Sequence, residues 1–219
     1  MAPGLGLFGK LPAKRDFVAV DISRNFLACW EPWLQAGLAA SREHMADRRE
    51  SIYSTAPAWR FWLGGDLCGG SAALGAFLPS FDGVGRCYPL TIVDCGDPPP
   101  PAHNEHADWY AGVESLLRLA VACELDYPLL IDRLRSLAPA AARSPAAQED
   151  VATVDPPGPL AFARIDANGS HPLHAGMTYW WTEGCPSQPA RALPCRGMPA
   201  PLAFVSMLSG DWPASPDEV

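Results

Sequence analysis

The chain has 219 residues, 48% of them apolar, with eight Trp and eight Phe, which is enough for one domain with a substantial core. Charged residues make up only 18%, which excludes a self-repelling disordered polymer. The formal charge of −8 disfavours non-specific attraction to nucleic acid or anionic lipid. No apolar stretch reaches the ~20 residues that cross a bilayer, and the first residues lack the basic start and long apolar run of a secretory signal. Seven scattered cysteines, at 29, 68, 87, 95, 123, 185 and 195, are therefore expected as free thiols in a reducing cytoplasm.

Residues 1–20 read as a strand or extended lead-in, interrupted at Pro12. From Ser23, a candidate N-cap, Phe26, Trp30, Trp33, Leu34 and Leu38 recur at helical spacing. Pro32 inside that pattern predicts a kink or a second helix start. The charged run Ser41–Glu50 predicts a solvated helix tail. Trp59–Leu63 reads as a strand, Gly64–Gly70 as a reversal and Ser71–Leu78 as a second strand. Pro79–Arg86 reads as a loop, and Cys87–Val93 as a third strand with Pro89 near its start. The connections are too short for helical crossovers, so these three strands form an antiparallel meander.

Four consecutive prolines close this region at Pro101. Helices are predicted over Ala107–Leu125, with Val113, Leu116, Leu117 and Ala120 on one face, and over Tyr127–Leu137, with Pro128 in its first turn. Residues 138–159 predict a mobile loop. Leu160–Ile165 and Met177–Trp181 predict strands, with Asn168-Gly169 as the turn between them. Pro201–Leu208 predicts a short helix, and 211–219 a frayed tail. The fold class is α+β, an antiparallel β-sheet flanked by α-helices in a single domain spanning 1–219.

Several motifs point to chemistry the surrounding residues do not support. Gly4-Leu-Gly6-Leu-Phe-Gly9-Lys10 matches both a dinucleotide fingerprint and the start of a phosphate loop. Only three residues precede it, however, and Leu11-Pro12 follow where a helix and a Mg²⁺-binding hydroxyl are required, so glycine in a strand or turn is expected. His103/His106 and His171/His174 have i, i+3 spacing, but one pair follows the proline run and Pro172 interrupts the other. Surface histidines, with no metal and no cofactor, are the expectation. Asn168-Gly169-Ser170 matches a glycosylation sequon, for which the turn reading suffices. No Gly-x-Ser-x-Gly elbow is present, and Cys68, Cys87 or Cys95 could meet a histidine only through the fold. In the loop Pro79–Leu90, Ser80 and Asp82 can cap backbone N–H groups, Gly83 and Gly85 can supply positive φ, and Asp82 and Arg86 are spaced to pair. A self-bonded turn and a binding loop both fit that composition.

That loop and two companion blocks resemble the TagF (ImpM) family of type VI secretion system-associated proteins. Phe8-Gly-Lys-Leu-Pro12-Ala-Lys-Arg-Asp16-Phe17 is similar to the family's opening F/Y-G-K-L-P-x-x-G-D-F, with Arg15 where Gly is usual. Ala56-Pro-Ala-Trp59-Arg60-Phe61 is similar to A-P-x-W-R-F. Pro79, Ser80, Asp82, Val84, Gly85, Arg86, Pro89 and Leu90 are similar to P-S-x-D-x-V-G-R-x-x-P-L. Trp30-Glu-Pro-Trp33-Leu34, Tyr179-Trp-Trp181 and Gly197-Met-Pro199 are weaker echoes.

The resemblance implies a layered, longin- or profilin-like fold. It also implies a non-catalytic cytoplasmic accessory acting as a post-translational negative regulator of type VI secretion. Its partner would be the system's forkhead-associated scaffold protein, with a functional link to a Ser/Thr kinase–phosphatase pair. No nucleic acid and no membrane insertion are implied. The candidate partner-binding or motif residues are Pro12, Asp16, Phe17, Trp59, Arg60, Pro79, Ser80, Asp82, Gly85, Arg86 and Pro89. The alternative class is a hydrolase using a Cys or Ser nucleophile.

Overall fold

The computed structural model describes residues 5–100, 106–140, 174 and 176–212. Among the described residues, seven strands form one antiparallel sheet: β1 (Gly6–Gly9), β2 (Val18–Val20), β3 (Trp59–Leu63), β4 (Ala73–Leu78), β5 (Leu90–Asp94), β6 (Met177–Thr182) and β7 (Arg191–Arg196). Their spatial order is β2-β1-β5-β4-β3-β6-β7. Helices α1 (Arg24–Met45), α2 (Arg49–Thr55) and α5 (Pro201–Ser209) cover one face, and α3 (Ala107–Val121) and α4 (Tyr127–Ser136) the other. The architecture is α+β, as the element order predicts.

Covering both faces follows from the strands themselves. All five residues of β3 are buried, and side chains alternate across a strand. Trp59, Phe61 and Leu63 enter the core beneath α1 and α5, while Trp62 enters the core beneath α3. The meander β3–β4–β5 has the predicted antiparallel register, with Phe61 opposite Gly75 and Gly75 opposite Val93. Pro89 precedes β5, which starts at Leu90 and not at Cys87.

Helix α1 places Phe26, Trp30, Trp33, Leu34 and Leu38 on its buried face. The Trp30 ring lies 4.4 Å from Phe61 and stacks 5.8 Å from Trp180, and its N–H donates to Thr91 Oγ1 at 3.2 Å. Truncating such a side chain costs about 3–5 kcal/mol, so this cluster is a principal source of stability. Helix α1 runs through Pro32 without a second start. Pro32 and Ala28, whose carbonyl it leaves unbonded, are both exposed, so water serves that carbonyl. Ser23 is the N-cap residue, but its side chain makes no capping bond.

Ser41–Glu50 and β7 depart from the sequence reading, and most of residues 138–159 and 211–219 lie outside the described residues. Ser41–Glu50 is not one solvated tail: Ser41 and Met45 are buried, Ala46 turns the chain at φ 40°, and α2 follows. Buried Tyr53 anchors α2, contacting Phe81 at 5.3 Å. Strand β7 has no strong alternation and contains Pro194, which an edge strand tolerates. The expected strand Leu160–Ile165, the Asn168-Gly169 turn and residues 141–159 of the expected loop lie outside the described residues; β6 pairs with β3 and β7. Ala140 is fixed, buried with its N–H donating to Asp94 at 2.7 Å. Trp212, placed in the expected tail, packs 5.9 Å from Trp59.

Helices α1 and α5 cross at Gly37, where an added Cβ would sit 2.6 Å from the Phe204 ring. Alanine gains up to about 1 kcal/mol in helix propensity, but overpacking against a ring held by Trp33 and Phe77 costs about 1–3 kcal/mol. Gly37→Ala is therefore expected to lower the thermal midpoint by about 2–6 °C, read from a circular dichroism melt.

Candidate functional site

The connections β1–β2 and β4–β5 emerge side by side, because β1 and β5 are paired and β5 and β4 are paired. Asp82 joins them. Its side chain has no solvent exposure, and its Oδ2 accepts from Lys10 Nζ at 2.8 Å and Arg86 Nε at 2.6 Å. Its Oδ1 accepts from the backbone N–H groups of Val84 at 3.0 Å and Arg86 at 2.9 Å. Burial alone would raise this carboxyl's pKa. The Lys10 ammonium, the Arg86 N–H and guanidinium and the Val84 N–H outweigh burial and hold it well below the usual carboxylate range.

Backbone contacts complete the join. Ser80 Oγ donates to the Lys10 carbonyl at 2.8 Å, Gly83 N to the Lys14 carbonyl at 2.7 Å and Arg86 to the Arg15 carbonyl at 2.8 Å. Gly85 takes φ 82°, as the loop chemistry predicts. Gly83 does not have positive φ. It is needed for close approach, since a Cβ there would lie 3.1 Å from the Pro12 carbonyl oxygen.

The candidate residues divide by exposure. Trp59, Arg60, Pro79, Ser80, Asp82 and Pro89 are buried, and Pro12 is half-buried. Asp16, Phe17, Gly85 and Arg86 are exposed, with the Arg86 side chain at 62%. Phe17 is 51% exposed although its ring meets Tyr88 at 4.7 Å and Lys10 at 5.1 Å. Val84, which the sequence reading did not single out by role, is the most exposed large apolar side chain of the loop at 58%.

Arg60 belongs to a second cluster on the α3 face. Its Nε contacts Glu114 at 2.6 Å and its Nη1 contacts Glu183 at 2.6 Å, with the Tyr110 ring 5.1 Å away. Arg118 bonds the other Glu114 oxygen at 3.1 Å. This network fastens α3 to β3. Trp59, its neighbour in the chain, points the other way and donates to the Met207 carbonyl on α5 at 2.9 Å.

Elsewhere, the described part of the glycine motif is strand β1, followed by β2 and not by a helix, and Lys10 is engaged by Asp82. His103 and His171 lie outside the described residues. His106 is buried at the start of α3, and His174 is bonded to the Tyr179 hydroxyl at 2.7 Å. Among the described residues, no group of three or more His, Cys, Asp or Glu could hold a metal ion, and no helix is long and apolar enough to cross a membrane. Cys68 and Cys95 line a cleft of about 170 Å³ with Ser23, Asn25, Phe26 and Ser71, and no histidine is among its lining residues.

Residues 6–137, more than half of the chain, match the family described as TagF N-terminal domain, type VI secretion system-associated. The chain belongs to that family. Among solved structures, the protein PA0076 from Pseudomonas aeruginosa PAO1 is similar, with a TM-score of 0.69 and 28% identity over 97% of each chain. No curated protein matches. The first and third TagF-like blocks are thus the two segments that Asp82, Ser80 and Arg86 bind together. Arg15, in place of the usual Gly, does not have positive φ, so the replacement imposes no left-handed strain.

Asp82→Asn leaves the buried Lys10 ammonium without its charge partner and is expected to lower the urea midpoint at neutral pH. Because the folded pKa of Asp82 is depressed, its stabilisation is whole above the ordinary value of about 3.9 and is lost as pH falls below it. Acidification through that range should therefore destabilise the parent chain more steeply than Asp82→Asn. Urea titrations at several pH values check both outcomes.

Proposed function

We propose that this TagF-family chain is a non-catalytic cytoplasmic component that restrains type VI secretion after translation by binding a protein partner. The partner in this reading is the system's forkhead-associated scaffold, upstream of which a Ser/Thr kinase–phosphatase pair operates. The family membership supplies the pathway. The observation that carries the binding mode is the exposed tip built on the Asp82 clamp.

At that tip Phe17 and Val84 present apolar surface, Arg15 and Arg86 are exposed cations of the same two loops, and Asp16 is exposed beside Arg15, while the Lys14 ammonium lies over the Tyr127 ring at 4.4 Å. An apolar centre with a charged rim is the anatomy of a protein-binding patch. The local cations stand out against a chain of net charge −8, and they favour an acidic partner surface. Backbone anchoring of both loops keeps the ordering cost of binding low.

Affinity capture with the intact chain from secretion-competent cells is expected to recover the forkhead-associated scaffold; its absence from the captured proteins would overturn the choice of partner. Arg86→Glu is a poor probe of the surface, because the new carboxylate would face buried Asp82. Arg15→Glu combined with Val84→Asp changes only exposed side chains. This pair is expected to reduce scaffold capture at least about tenfold while leaving the thermal midpoint within about 2 °C, measured by binding isotherm and melt on the same preparations. Capture should also weaken from about 50 to 300 mM salt, as screened charges contribute less.

A further inference from the structure

Cys29 on α1 and Cys68, in the turn after β3, bring their sulfurs to 3.5 Å across 39 residues of sequence. No disulfide joins the seven cysteines, so both are thiols. Two sulfurs this close need an approach of only about 1.5 Å to reach the ~2.05 Å of a bond. The turn that carries Cys68 continues into Gly69 and Gly70, both at positive φ; Gly69 lies against the Asn25 side chain, while a Cβ at Gly70 would meet nothing within 4 Å.

The two thiols are not equivalent. Cys29 Sγ lies 3.2 Å from the Phe26 carbonyl oxygen and 3.5 Å from Cys68 Sγ, and either thiol can donate in the sulfur–sulfur bond. That bond, aided by a backbone contact, favours the Cys29 thiolate over the opposing effect of burial. Cys68 is pushed the opposite way, first by its bond to Cys29 and then by burial, and keeps its proton. Cys29 is partly exposed, which gives a hydroperoxide as small as hydrogen peroxide access to it, whereas Cys68 is 5% exposed. The cleft of about 170 Å³ beside Cys68 is lined by Cys95, Ser23, Asn25, Phe26 and Ser71 and does not include Cys29.

We propose that Cys29 and Cys68 are an oxidation site that a hydroperoxide converts to a disulfide, with Cys29 as the attacking sulfur and Cys68 as the resolving one. The Cys29 thiolate attacks one peroxide oxygen: an S–O bond forms, the O–O bond breaks, and the second oxygen leaves as water or an alcohol after taking a proton. Cys68 sulfur then attacks Cys29 sulfur: the S–S bond forms, the S–O bond breaks, and hydroxide leaves as water with the Cys68 proton. The two thiols lose two electrons and the hydroperoxide gains them. Exchange with a small-molecule thiol restores the dithiol. The link would tie α1 to the β3–β4 turn.

The test uses the intact, reduced chain exposed to hydrogen peroxide, followed by thiol capping and tryptic digestion without reduction. Cleavage at Arg42 and Arg60 separates the two cysteines. A linked Cys29–Cys68 peptide pair, about 2 Da lighter than its two thiols and lost on dithiothreitol treatment, is expected to exceed every other cysteine pair by about tenfold. In Cys68→Ser, which keeps a hydroxyl donor toward Cys29 but no resolving sulfur, the reaction should stop at Cys29 sulfenic acid, trapped as a dimedone adduct. The proposal is overturned if the Cys29–Cys68 pair forms no more than pairs involving Cys95 or Cys123. It is equally overturned if Cys29 in the parent chain is consumed no faster than exposed Cys123.

Discussion

A carboxylate sealed from water survives only if donors replace its hydration, and Asp82 draws them from two separate segments of the chain. Lys10 comes from the connection after β1, while Arg86 and the Val84 N–H come from its own loop. Neither loop can keep its shape without the other. The clamp is not a simple gain in stability, since desolvating two charges offsets much of their attraction. Its effect is specificity of conformation: with Lys10 and Asp82 both buried, few other arrangements of the two connections satisfy them. The exposed Val84 and Arg86 take their positions from bonds to the same carboxylate.

The rest of the molecule supplies a rigid base by a different route. Because β3 is buried on both faces, each face needs a helical layer, and adjacent residues of one short block serve opposite layers. Trp59 anchors to α5 and Arg60 to α3. Arg60 is a charge in an otherwise apolar setting, and it is matched by Glu114 and Glu183 and covered by Tyr110. The same logic of paired burial thus recurs on the two sides of the sheet end.

How much of this was legible in the sequence depended on the range of the interaction. The faces of α1 and α3 and the β3–β4–β5 meander follow from local periodicity and short connections, so they could be read directly. Helix α2 could not, because its seven residues carry little apolar periodicity and it is anchored by buried Tyr53 with partly buried Ile52 beside it. Strand β7 is half-buried, has Pro194 within it, and is specified by β6 rather than by its own pattern. In the loop, the Asp82–Arg86 pairing lies four residues apart and was visible, whereas Lys10 is 72 residues from Asp82 and was not. Nor could residue type distinguish the buried Ser80 from the exposed Val84, since the difference arises only when the two connections meet. The family resemblance identified the blocks without revealing which of their side chains face inward.

The way the tip is fastened has a consequence for how such proteins can diversify. The bonds that hold residues 14 and 15 in place are made to their carbonyl oxygens, by Gly83 N and the Arg86 guanidinium. A carbonyl is supplied by any amino acid, so the Arg15 side chain is left out of the fastening, while the Lys14 ammonium also lies over the Tyr127 ring at 4.4 Å. Arg15 illustrates the freedom: it replaces glycine in the block without a left-handed backbone and without a role in the clamp. Frame and outward-facing chemistry are therefore separable here. The exposed Arg15 side chain can change while the backbone bonds beneath it stay the same.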